Sequence, residues 1–100
     1  MENKILCIKK LPFEDPYSDH IENTLEAMQK FVGGYIETYT FAADAAIICN
    51  EEGRLLGMPY NCTVCGMDFV GPILIVGVNG EEFCSLPDIK FKIMEDNKYE

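Results

Sequence analysis

NTLEAMQKFVGGYIETYTFAADAAIIC, residues 23–49, is the stretch whose reading decides the fold. Ile21, just before it, then Leu25, Met28 and Val32 recur at helical spacing, with Phe31 beside them. Glu22, Glu26, Gln29 and Lys30 fall outside that stripe. Asn23 is placed to cap the helix, and Glu26, three residues on, stands where a capping-box partner would. Gly33 supplies a left-handed C-terminal cap and Gly34 lets the chain reverse. Tyr35 to Phe41 is rich in Tyr, Thr, Ile and Phe and reads as a strand. Asp44 to Cys49 follows after a short turn, and its consecutive apolar residues Ala45, Ala46, Ile47 and Ile48 suit a strand covered on both faces. A helix running into such an antiparallel hairpin predicts an α+β fold: a mainly antiparallel sheet packed by one definite helix.

Upstream, Ile5-Leu6-Cys7-Ile8 reads as a first strand buried on both faces. Pro12 and Pro16 turn the chain away from the sheet, and Tyr17 to Ile21 suits an edge strand or a lead-in loop. Downstream, Asn50-Glu51-Glu52-Gly53 reads as a turn, beyond which Arg54-Leu55-Leu56 continues. Gly57 to Gly71, with Pro59, Asn61, Cys62, Cys65 and Gly66, reads as a long surface loop, the kind of segment that carries function. Ile73 to Val76 reads as a buried strand, Asn79-Gly80 as a hairpin turn, and Glu82-Phe83-Cys84 as the returning strand. The tail is ambiguous. Ser85, Leu86, Asp88, Ile89 and Ile93 suit a capped second helix at the C-terminal end, the favoured reading, while Ile89 to Ile93 also alternates as a strand would. One hundred residues predict a single domain over 1–100.

Composition narrows the function. The hydrophobic fraction of 48% builds a core, but a thin one, and favours a homo-oligomer that buries more surface. With 17 acidic and 8 basic residues the formal charge is −9. Such a field repels nucleic acid and anionic membranes unless cations cluster, and the nearest groups are only Lys9-Lys10 and Lys90 with Lys92. Direct nucleic-acid binding and membrane association are therefore not expected. The start Met1-Glu2-Asn3-Lys4 has no signal-peptide character, and Ile73 to Val76 is far too short to cross a bilayer. An odd count of five cysteines fits reduced thiols and a cytoplasmic location.

Several segments together resemble a known family. They are Phe31-Val32-Gly33-Gly34-Tyr35-Ile36-Glu37, Cys49-Asn50-Glu51-Glu52-Gly53, Leu55-Leu56-Gly57-Met58-Pro59-Tyr60-Asn61 and Leu74-Ile75-Val76-Gly77. In this order and spacing they look like a family of small phage and mobile-element proteins of Firmicutes, known as a domain of unknown function (3846 type). The resemblance covers Ile21 to Leu86. It implies an α+β fold and a mobile-genetic setting, and it brings no active site with it. Members of that family often carry a basic residue directly after the Pro-x-Asn piece; here Cys62 stands there.

The remaining constellations are weak. Cys62-Thr63-Val64-Cys65 has the C-x-x-C spacing of half a zinc site, but no second close pair completes four ligands, and two free loop cysteines explain it as well. No metal and no cofactor is expected. Gly33-Gly34 follows a helix, whereas phosphate loops precede one. His20, the single histidine, has Asp15 and Asp19 near it and no nucleophile, so no catalytic residue is assigned. Tyr17, Tyr35, Tyr39 and Tyr60 offer stacking faces, or pack across strands. Arg54, the single arginine, suits a phosphate better than a lysine does. Arg54, Tyr60, Asn61 and Tyr35 are the expected wall of a ligand-binding pocket.

The expectation is a non-enzymatic small-molecule binding module for a small anionic ligand such as a nucleotide-derived signal. In the setting the resemblance implies, it would act as a counter-defence sponge that sequesters a host nucleotide immune signal. The alternative is an acidic protein-interaction inhibitor or DNA mimic acting on a host defence protein, using the −9 charge. An enzyme ranks last.

Overall fold

The computed structural model of the chain describes residues 3–87. The elements run β1 (Lys4–Lys10), β2 (Tyr17–Glu22), α1 (Leu25–Val32), β3 (Ile36–Ala42), β4 (Ala45–Asn50), β5 (Tyr60–Val64), β6 (Met67–Val70), β7 (Ile73–Asn79) and β8 (Glu82–Cys84). Six strands form one antiparallel sheet in the order β2-β1-β7-β4-β3, with β8 also paired to β7. The α+β reading holds. The C-terminal helix favoured from Asp88 to Ile93 lies outside the described residues. Ser85 and Leu86 are described, and they run alongside β1: Leu6 N donates to Ser85 Oγ at 3.0 Å and Leu86 N to Leu6 O at 2.9 Å.

The two central strands explain the layering. Every residue of β4 is buried, as are Ile73 to Gly77 of β7, so both faces of the sheet need a cover. Successive side chains point to opposite faces. Ile48, Leu74 and Val76 join Ile5, Cys7 and Ile21 under Met28 and Val32 of α1. Ile47, Cys49, Ile73 and Ile75 face the other way, where Cys62 and Phe69 of a two-stranded sheet, β5 with β6, cover them. The described residues thus form helix, six-stranded sheet and hairpin, in three layers.

That hairpin corrects the long surface loop expected from Gly57 to Gly71. Cys65 (φ 51°) and Gly66 (φ 81°) form its two-residue turn, both with positive φ, as a type I′ turn requires. A register shift between Tyr60 and Cys62 turns both Asn61 and Cys62 inward. Phe69 is buried and meets Tyr39 edge-on, with ring centroids 5.5 Å apart. Arg54-Leu55-Leu56 also differs from expectation: residues 51–57 stay within the turn, closed by Leu56 N to Glu52 O at 2.9 Å and Met58 N to Gly53 O at 3.0 Å.

The helix starts one residue later than expected. Its cap is Thr24, whose Oγ1 accepts from Ala27 N at 3.1 Å. Asn23 instead donates from Nδ2 to Phe83 O at 3.0 Å, tying the helix entrance to β8. Met28 and Val32 are buried, but Leu25, the first helical residue, is 57% exposed and does not join them. Gly33, at φ 84°, closes the helix as expected. Gly34 lies close to Asn50: a Cβ there would stand 2.9 Å from Asn50 Nδ2, so the amide would have to shift.

Candidate functional site

Among the described residues, two clefts border the β5–β6 hairpin. The first, of about 230 Å³, lies between β3, β4, the 51–57 turn and β6. Glu37 and Tyr39 reach it from β3, Cys49 from β4, Arg54 from the turn and Asp68 from β6. Arg54 Nη2 donates to Asp68 O at 2.7 Å. That bond uses one of five guanidinium donors and ties the side chain to the hairpin. A hydrogen bond to Glu37, then burial, raises the Tyr39 hydroxyl pKa. Burial first, then the Glu37 charge, pushes the Cys49 thiol up to about 11, against an opposing pull from Arg54. Tyr39 and Cys49 are therefore protonated near neutrality. They can donate hydrogen bonds there but do not supply a thiolate or phenolate nucleophile.

The second cleft, of about 320 Å³, lies where the end of β1 meets the start of β5. Lys10 and Asn61 form it with Phe13, Glu14, Asp15 and Tyr60. Lys10 and Asn61 are each only 7% exposed. Asn61 Nδ2 donates to Lys10 O at 2.8 Å and to Gly71 O at 2.6 Å, while its Oδ1 accepts from Lys10 Nζ at 2.9 Å. Lys10 Nζ also reaches Leu11 O at 3.3 Å. Two of the three ammonium donors thus end on neutral oxygens, and Asn61 is occupied in holding the strands together.

Phe13 stands over this cleft at a backbone cost. Glu14 N bonds Leu11 O at 3.2 Å, with Pro12 second in the turn and Phe13 third at φ 69°. That is the pattern of a type II turn, whose third position favours Gly or Asn. A bulky residue in the left-handed region costs about 1–2 kcal/mol. Here the ring recovers little of it by burial, being 87% exposed.

A line of polar contacts joins the two clefts across the hairpin. Tyr60 Oη and Thr63 Oγ1 are 2.6 Å apart, and Thr63 Oγ1 is 2.6 Å from Asp68 Oδ1. An ionised carboxylate only accepts, so Thr63 donates to Asp68 and Tyr60 donates to Thr63. The main-chain carbonyl of the same Asp68 receives Arg54.

The structure does not gather the four expected pocket residues in one wall. Arg54 lines the first cleft, and Tyr60 and Asn61 the second. Tyr35 lines neither; it precedes β3, is 69% exposed, and its carbonyl receives Glu51 N at 2.8 Å. Asn61 holds the fold instead of presenting free polar atoms. Lys10, Phe13, Glu37 and Tyr39 were not singled out as site residues. Lys10 had one signal: it continues the Leu6, Ile8 alternation and so points where an apolar residue would.

Cys62 and Cys65 part company as well. Cys62 is buried under the hairpin while Cys65 is exposed at its tip. Among the described residues no three His, Cys, Asp or Glu side chains gather as metal ligands. His20 lies exposed on edge strand β2, its backbone N–H on Asp19 Oδ1 at 2.7 Å, and Asp19 in turn pairs with Lys9 at 2.9 Å. Among the described residues no helix is long and apolar enough to cross a membrane.

A family described as a domain of unknown function (DUF3846) matches residues 4–98, and the chain belongs to that family. No curated protein and no solved structure matches the chain.

Proposed function

We propose that this DUF3846 member is a non-enzymatic binding module that captures a small anionic ligand, with Arg54 as the group that meets the anion. The observation that carries the reading is the placement of Arg54: its guanidinium lines a cleft between the sheet and the hairpin, steadied by one main-chain carbonyl and with further donors to offer. At about 230 Å³ the cleft is smaller than most sites for whole ligands. It suits a phosphoryl or carboxylate end, the remainder of the ligand lying along the hairpin. The high thiol pKa values of Cys7 and Cys49, both about 11 through burial, support a role other than thiol catalysis.

In its fullest form the proposal is of a cytoplasmic accessory protein of a phage or mobile element. It would act as a sponge for a nucleotide-derived immune signal of the host. The second reading, an acidic interaction inhibitor or DNA mimic, is favoured by one observation, the net charge of −9.

Calorimetric titration with a panel of nucleotides separates them. Under the sponge reading, Arg54→Ala loses about 1.5–3 kcal/mol, roughly one to two powers of ten in affinity, because a charge-assisted bond goes. Neutralising Glu51 and Glu81 leaves nucleotide binding intact or improves it. Under the inhibitor reading no nucleotide binds at millimolar concentration, activity falls with each carboxylate removed and with salt, and Arg54 is irrelevant.

A further inference from the structure

We propose that the cleft at Lys10 is a second binding site, for a neutral planar heteroaromatic ring that presents a carbonyl acceptor beside an N–H donor, as the six-membered edge of a purin-6-one does. It does not rest on the Arg54 reading and uses different residues.

Three observations converge on it. The first is Lys10, a cation buried to 7% exposure that, among the described residues, donates to two neutral oxygens, Leu11 O and Asn61 Oδ1. An ammonium carries three N–H groups, so Lys10 can also donate to an acceptor brought by a ligand. A buried charge whose hydrogen bonds end on neutral oxygens is costly, and a ligand carbonyl would add one more favourable dipole. The second is Phe13, held exposed beside this cleft by a left-handed backbone that its own side chain disfavours. Strain of this kind, kept where glycine would serve the turn better, points to a task for the ring. With Tyr60, whose hydroxyl is fixed on Thr63, it gives the cleft two aromatic faces. The third is the acidic lining. Glu14 accepts hydrogen bonds and disfavours an anion, so the ligand is neutral at this end and brings a donor. At about 320 Å³ the cleft lies within the range of small-molecule sites.

An acceptor for Lys10, a donor for Glu14 and a flat face for two aromatics describe the ring proposed. Inosine carries that edge; adenosine reverses its donor and acceptor.

The test is titration of the full chain with inosine and with adenosine, followed by calorimetry, on the wild type and on Phe13→Gly. Inosine is expected to bind at least about tenfold more tightly than adenosine, since the reversed edge turns a donor toward the buried Lys10 ammonium. Phe13→Gly is expected to lose about tenfold or more in inosine affinity through lost stacking. The same variant is expected to raise Tm, because glycine relieves the turn. Lys10→Met, if it folds, is expected to abolish the preference for inosine. No inosine binding at millimolar concentration, equal binding of adenosine, or Phe13→Gly binding inosine as well as the wild type would each overturn the proposal. A fall in Tm for Phe13→Gly would assign the ring to the fold and overturn it too. Anion capture at Arg54 is scored separately by Arg54→Ala, so either site can fail alone.

Discussion

Asn50 joins three parts of the molecule with one side chain. Its Nδ2 donates to Val32 O at the end of α1 at 3.1 Å, and its Oδ1 accepts from Glu52 N at 2.7 Å, starting the turn that carries Arg54. Gly34 passes close beside it, where a Cβ would push on the Asn50 amide. Asn50→Ala strands the Val32 carbonyl and unties the turn at once. We expect a loss of about 2 kcal/mol, since a buried group is left without its partner. The midpoint of a thermal melt then falls by roughly 10 °C in a domain of this size. Leu25→Ala is the control. At 57% exposure Leu25 contributes little, and its loss should stay within about 0.5 kcal/mol. Equal losses from the two variants would mean that Leu25 packs where the helical stripe first placed it.

The hairpin β5–β6 is the element whose standing most changes the picture, because it turns a loop into a core layer and so makes both clefts. Phe69→Ala tests it. A buried aromatic in a packed layer costs about 3 kcal/mol or more on truncation. In a solvated loop it would cost about 0.5 kcal/mol or less. Chemical denaturation of the variant, with amide exchange of β5 and β6, reports which. The hairpin also shows what was legible in the sequence. Strands β4 and β7 announce themselves because a doubly covered strand is apolar at every position, and Gly33 and the Asn79-Gly80 turn carry their own chemistry. Even there the turn is shifted by one residue: Asn79 pairs with Glu82, and Gly80, at φ 67°, opens the loop. The hairpin is hidden because the register shift after Tyr60 sends Asn61 and Cys62 inward together, which destroys the alternation a strand is read by. Its turn is hidden because Cys65 takes the left-handed position usual for Asn or Asp. The site is less legible still. Arg54, Tyr60 and Asn61 are near in sequence, yet Asn61 finds its partner Lys10 across 51 residues of chain, and no local pattern reports that meeting.

On the scale of the whole molecule, two opposed tendencies have to be reconciled: an excess of nine negative charges, and a ligand proposed to be anionic. Local geometry resolves them. Lys9 is committed to Asp19, and Lys10 is buried on neutral acceptors, which leaves Arg54 as the cation that lines the first cleft. Long-range repulsion slows the approach of an anion and weakens with salt, whereas a guanidinium contact acts at hydrogen-bond range. Added salt should therefore spare the binding of an anionic ligand more than it would spare an interaction made by the acidic surface. We further expect a homo-oligomer, most simply a dimer, since a chain of this size builds a thin core and leaves Leu55, Leu56 and Tyr35 well exposed. The measurement that bears on the central claim most directly is a native mass spectrum of the protein taken from cells, compared with that of Arg54→Ala. The account predicts a dimer mass without zinc, carrying a small-molecule adduct that Arg54→Ala loses. A wild-type protein that emerges with no adduct and acquires none from a millimolar nucleotide mixture, or an anionic adduct that Arg54→Ala retains in full, would contradict it.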